Sequence, residues 1–188
     1  KRHVGTYRTY LRIAAGVSQL ERAIYGPFDM SRIRVDETFV LTDVQQPANL
    51  KVVTRYEGKS AQSMRAYFAQ TAREQIERNS LDYYHQYYPG ITSAGAVDMQ
   101  DDESLDRVTV TESYAVKELF STTGKGTVLQ AYIQPGTIWS WCRVPSLDQR
   151  QHPFSLAAQP VYVTQQITLQ LPSDWPVTPN RTTVKDPA

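Results

Sequence analysis

Cysteine is nearly absent from this sequence. One residue, Cys142, permits neither an internal disulfide framework nor a multi-cysteine zinc site. Charge of one sign is also scarce: 20 Lys and Arg against 19 Asp and Glu leave a formal charge of +1. That balance argues against a nucleic-acid surface built on bulk charge. No apolar run approaches the roughly 18 residues that a membrane-spanning helix needs. Internal repeats and low-complexity tracts are missing. So are an initiator methionine and a signal-peptide pattern of charged start, apolar stretch and small-residue cleavage site. The expectation is therefore a mature product or a piece of something longer. A lone cysteine is compatible with the periplasm, the cell exterior or the cytosol.

What is present describes a globular chain: 188 residues, 40% hydrophobic and 21% charged. A chain of this length buries roughly 70% of its unfolded surface and needs no disulfide or metal to fold. Period-2 alternation dominates it. Ile33, Val35, Phe39 and Leu41 share one strand face, with Glu37 as the odd member. Leu50, Val52, Thr54 and Tyr56 share another, after a turn containing Pro47. Val108, Val110, Tyr114 and Val116 alternate with Thr109, Thr111, Ser113 and Ala115. Val161, Val163, Ile167, Leu169 and Leu171 alternate with Tyr162, Thr164, Gln166, Thr168 and Gln170. A sheet with one wet face requires this pattern, and antiparallel pairing is its usual origin. Residues 128–133 and 138–144 read as further strands about the turn pair Pro135-Gly136.

Residues 60–78 break the alternation. They lack Gly and Pro, and Met64, Tyr67, Phe68, Thr71, Ala72 and Ile76 recur at helical spacing while Arg65, Arg73, Glu74 and Glu77 face away. The pattern predicts one long amphipathic helix capped by Ser60. Asn79-Ser80 reads as an interruption, with a second short helix over 81–88 stopped by Pro89-Gly90. The N-terminal stretch is ambiguous: residues 7–13 alternate like a strand, and 17–23 suit a helical turn. The expected fold is α+β, a mainly antiparallel sheet, sandwich-like or curved, with one long helix on a sheet face. It would occupy residues 1–176 as a single domain, followed by a polar, proline-interrupted tail over 177–188.

Four constellations bear on chemistry. Asp98, Asp101, Asp102, Glu103 and Asp106 suit either a calcium site or a solvated turn, but lack the glycine and distal glutamate of a helix-flanked calcium loop. Cys142 can be a nucleophile only with a base such as His85 or His152, and no cysteine-hydrolase motif joins them; alternation makes it a small buried hydrophobe instead. The third histidine, His3, adds no such motif. Residues 121–127 have the composition of a phosphate loop without its order, so a hairpin loop is the better reading. Tyr83 and Tyr87, from a cluster of four tyrosines, and Trp139 and Trp141, alternating on one predicted strand, are the candidate binding residues. Packing within the core explains the same aromatics. No catalytic residue, metal ligand or cofactor is expected.

Residues 56–65 (YEGKSAQSMR), 83–91 (YYHQYYPGI) and 101–103 (DDE) leading into 108–114 (VTVTESY) carry a family likeness. They resemble the region that follows the catalytic core in large bacterial transglutaminase-like proteins with an N-terminal domain of unknown function. Residues 10–23 resemble the segment leaving that core. Residues 143–145 (RVP) and 152–154 (HPF) resemble the arginine-containing stretch before its last strands. The likeness spans residues 7–175. It implies a papain-like Cys-His-Asp core upstream, residues 1–25 as its lead-in, and a periplasmic or extracellular location. No residue here matches that family's catalytic cysteine motif, so no catalytic role passes to Cys142, His85 or His152. The expected function is a non-catalytic accessory domain that packs beside the core and shapes or presents its substrate cleft. The alternative is an autonomous peptide-, glycan- or protein-binding module of the cell envelope, and a thiol hydrolase built on Cys142 comes last.

Overall fold

The structure, a computed structural model, describes residues 9–22, 31–123, 128–141 and 161–175. In chain order, β1 (Thr9–Tyr10) and β2 (Glu21–Arg22) form a small antiparallel ladder. Two long strands follow, β3 (Ser31–Val40) and β4 (Ala48–Glu57), then helices α1 (Lys59–Gln70) and α2 (Arg73–His85). Next come β5 (Ile91–Ser93), β6 (Asp98–Asp102), β7 (Arg107–Val116), the hairpin of β8 (Phe120–Thr123) and β9 (Val128–Ala131), α3 (Gly136–Trp141) and β10 (Val161–Gln170). The fold is α+β. Among the described residues, the predicted helical turn at 17–23 gives way to extended β2.

The alternating patterns become the main sheet, a six-stranded one of order β10-β3-β4-β7-β5, with β6 also on β7. Inward positions of β3, β4 and β7 are buried in strict alternation, as their hydrophobic patterns require. All pairings but one are antiparallel. β10 runs parallel to β3 along its whole length, Val161 opposite Ser31 and Gln170 opposite Val40. The antiparallel expectation fails there for a physical reason. Alternation reports that one face of a strand is wet, and an edge strand can satisfy it in either direction.

The helix prediction also needs correction. Instead of one rod over 60–78, the chain forms two shorter helices separated by Thr71 and Ala72, both in extended backbone. The two helices share one apolar cluster across the bend, and α2 runs on into a second. Ala61 of α1 and Ile76 of α2 pack with Val97, Val108 and Val110. Tyr84 belongs to the larger cluster of Phe39, Leu50, Tyr88, Tyr114 and Val116. Asn79 and Ser80 therefore lie inside α2, not at an interruption. Ser60 is not the cap either. Gly58 holds that position at φ 63°, ψ −132°, the mirror image of extended backbone, which glycine tolerates best.

Residues 138–141 were expected in a strand and are helical, while 142–144 lie outside the described residues. Trp139 N–H donates to Pro135 O at 3.1 Å, closing the helical turn. Gln165 of β10 accepts from Ile138 N–H at 3.2 Å, satisfying one of the free donors of the α3 N-terminus. Gly136 is needed at this junction, since a Cβ there would stand 2.6 Å from Tyr87 Cζ. The acidic stretch forms the β6–β7 hairpin. Asp102 Oδ1 accepts from Ser104 N–H and Leu105 N–H at the turn, and Arg65 of α1 binds Asp101 and Asp106. The β8–β9 pairing makes the 121–127 segment a hairpin, whose tip lies outside the described residues.

Candidate functional site

The helices cover one face of the sheet, and the polar residues on that face are few. Glu37 on β3 and Glu112 on β7 both point inward and are buried. Their placement follows from register: Glu37 lies opposite Val52, and Val52 lies opposite Glu112, so all three form one row across the sheet. Two strand spacings put their Cα atoms roughly 10 Å apart. Tyr84 OH donates to Glu37 Oε1 at 2.9 Å, and Tyr114 OH donates to Glu112 Oε1 at 3.2 Å. The two rings lie 5.2 Å apart, centroid to centroid. Ser80 supplies a further hydrogen bond to Glu112. Gln165 Nε2 lies buried without a hydrogen bond of normal geometry.

Burial raises both carboxyls above the ordinary glutamate range, and the Glu112 charge pushes Glu37 further in the same direction. The hydrogen bonds from Tyr84 and Tyr114 oppose that rise but do not cancel it. Burial likewise raises Tyr83 to about 12 and holds Tyr56 and Tyr84 well above the ordinary phenol value. Every tyrosine around the carboxyls is therefore a neutral donor at physiological pH.

Above Glu112 lies a cleft of about 350 Å³, between the sheet and helices α1, α2 and α3. Its floor includes Thr54 and Glu112, and its aromatic wall is made by Tyr56, Tyr67, Tyr83, Tyr84 and Trp141. Asn79 Nδ2 donates to Tyr67 OH at 2.8 Å and joins α1 to α2 at one end. Tyr83 OH meets Thr137 Oγ1 at 3.5 Å and joins α2 to α3 at the other. Among the described residues, no Lys, Arg or His side chain lines the cleft. A larger concavity of about 610 Å³ lies on the opposite sheet face. Three of its four arginines are in ion pairs, Arg34 and Arg55 with Asp36 and Arg107 with Glu57, and Arg32 also lines it.

Of the four aromatics singled out in the sequence, Tyr83 and Trp141 line the cleft. Tyr87 stacks edge-on against Tyr83, 5.5 Å between centroids, and lines a separate cavity with Tyr88 and Tyr132. Trp139 is 58% exposed and lies outside the cleft lining. The predicted face shared by Trp139 and Trp141 disappears because the segment is helical. Glu112, Ser80, Tyr56 and Tyr84 escaped sequence reasoning. For Glu112 the signal was a polar residue at an inward strand position, the same signal that marks Glu37 as odd in its own strand; Ser80 and Tyr84 lie on α2 and carry no such signal. His85 is exposed at the end of α2, while Cys142, His3 and His152 lie outside the described residues.

Among the described residues, no group of three or more His, Cys, Asp or Glu side chains is placed to hold a metal ion. Nor is any described helix long and apolar enough to cross a membrane. Comparison of the chain with family models, curated proteins and solved structures returns no match.

The carboxyl row makes a signed prediction. Above the ordinary glutamate pKa of 4.5, the folded chain retains protons on Glu37 and Glu112 that the unfolded chain has released. Unfolding then releases protons, so these groups' contribution to stability falls as pH rises through their raised values. The double variant Glu37→Gln, Glu112→Gln keeps the acceptor oxygens and removes the titration. Relative to wild type, it is expected to gain stability between pH 5 and pH 8 in urea unfolding. A wild-type-minus-variant difference that is flat across that range would show that the row does not titrate as described.

Proposed function

We propose that this chain is a non-catalytic interaction domain, and that the cleft above Glu112 receives part of its partner. The observation that supports this reading is the aromatic wall itself. Tyr83, Tyr84 and Trp141 come from two helices and surround a space with a polar floor, leaving Trp141 42% exposed at the rim. Aromatic side chains around a partly desolvated pocket are what binding anchors use, because they present large rigid area with little rotamer entropy to lose. The likeness to the region behind a transglutaminase-like core supplies the partner in this proposal: that core, in the same polypeptide and outside the cytoplasm. Docking beside it would shape or present its substrate cleft.

The test is titration of the 15N-labelled chain with the purified upstream core. The expected result is association that shifts the amide resonances of Thr54, Ser80 and Tyr83. It is also expected that Tyr83→Ala weakens association. Absence of binding, together with unchanged core activity, would overturn the accessory reading.

A further inference from the structure

We infer that the cleft takes an arginine side chain of the partner, with its guanidinium paired to Glu112 and set among the tyrosine rings. This deepens the proposed function and rests on its reading of the cleft as the receiving site. The argument starts from charge. Among the described residues, Glu112 is the only Asp or Glu in the lining, and no described Lys, Arg or His accompanies it. Glu37, two strands away in the same row, adds a second acidic group beneath the tyrosines, with Tyr84 as its hydrogen-bond donor. Burial favours the protonated form of Glu112 in the empty cleft, and an incoming cation stabilises the carboxylate as that proton leaves to solvent.

The walls select among cations. Tyr56, Tyr67, Tyr83 and Trp141 line the space with aromatic rings, and such rings attract a positive charge over their faces through the ring quadrupole. Thr54, Ser80, Thr137 and Ser140 set hydroxyl acceptors at several points around the same space. An ammonium is compact and strongly hydrated, so it gains little from acceptors spread in different directions. A guanidinium is planar, weakly hydrated and carries five N–H donors, so it can meet a carboxylate, stack on a ring and reach separate hydroxyls together. Arginine is also enriched at protein interfaces, unlike lysine.

The experiment uses the full chain and two probes, Nα-acetyl-arginine methylamide and its neutral isostere Nα-acetyl-citrulline methylamide, followed by amide chemical shifts. The arginine probe is expected to shift Thr54, Ser80 and Tyr83 and to bind at least about tenfold more tightly than citrulline, the margin expected of a desolvated charge pair. Glu112→Gln is expected to remove that preference while retaining the folded spectrum, since glutamine can still accept from Tyr114 and Ser80. Equal binding of the two probes in the cleft would overturn the arginine assignment and leave the cleft as a receiving site. Core association that leaves the cleft resonances unmoved would overturn the cleft's role as well. Should Glu112→Gln fail to fold, the comparison of the two probes on the wild-type chain decides alone.

Discussion

Phe39→Ala is expected to destabilise the domain by about 3–5 kcal/mol, as large-to-small changes at fully buried aromatic sites do. Phe39 has no exposed surface and sits mid-sheet on β3, opposite Leu50 on one side and Leu169 on the other. Its ring meets Tyr88 edge-on with centroids 5.5 Å apart. The cost exceeds simple transfer because the site cannot collapse. Two of its neighbours are held by strand register, and Tyr88 is tied by its N–H to Tyr84 O at 2.9 Å. Phe39→Leu leaves a smaller void and is expected to lose less than half as much. Urea or guanidinium unfolding measures both. Equal losses for the two variants would show that the site relaxes, and that the sheet is less rigid than the register implies.

Arg65→Ala is expected to cost about 2–3 kcal/mol, more than an exposed surface pair. The Arg65 side chain is 17% exposed and binds two carboxylates from the β6–β7 hairpin. Nε donates to Asp101 Oδ2 at 2.9 Å, Nη2 to Asp101 Oδ1 at 2.8 Å, and Nη1 to Asp106 Oδ1 at 2.8 Å. Those two acids raise the guanidinium pKa further, so the charge is permanent. Removing it takes from both carboxylates the charge-assisted hydrogen bonds that Arg65 supplies. Arg65→Lys keeps a charge but loses the planar fork, and an intermediate loss is expected. The consequence reaches the cleft, because Arg65 anchors the helix that carries Tyr67. A melt of Arg65→Ala within about 0.5 kcal/mol of wild type would reduce the contact to an ordinary surface pair.

The unequal legibility of the elements has a common cause. Strand faces were readable at β3, β4 and β7 because the side-chain period is two and each strand has one wet face. Ile33 to Leu41 and Val108 to Val116 carry that information within ten-residue windows. The break between α1 and α2 was not readable, since Thr71 and Ala72 fit the helical stripe as well as their neighbours do. Across it Ala61 and Ile76 pack into one cluster and α2 carries Tyr84 on to the next, contacts that involve strands distant in sequence. The α3 segment was misread for a related reason. Ile138, Trp139, Ser140 and Trp141 alternate like a strand, while the hydrogen bond that supports their helix comes from Gln165, 27 residues away.

The same division holds at the site. Glu37 announced itself as polar in an apolar strand face, and Tyr83 and Trp141 as conspicuous aromatics. Nothing local joins them, because Glu37 and Glu112 share a row only through the register of β3, β4 and β7. The amino-acid order by itself determined the long strands β3, β4, β7 and β10, the buried faces of β3, β4 and β7, and the α+β class, since these depend on periodicities shorter than a dozen residues. Tertiary structure alone decided that β10 returns parallel to β3, that the helix bends, and that two buried carboxyls share a row beneath aromatic rings. Those outcomes depend on which distant surfaces meet, and sequence spacing carries no measure of that.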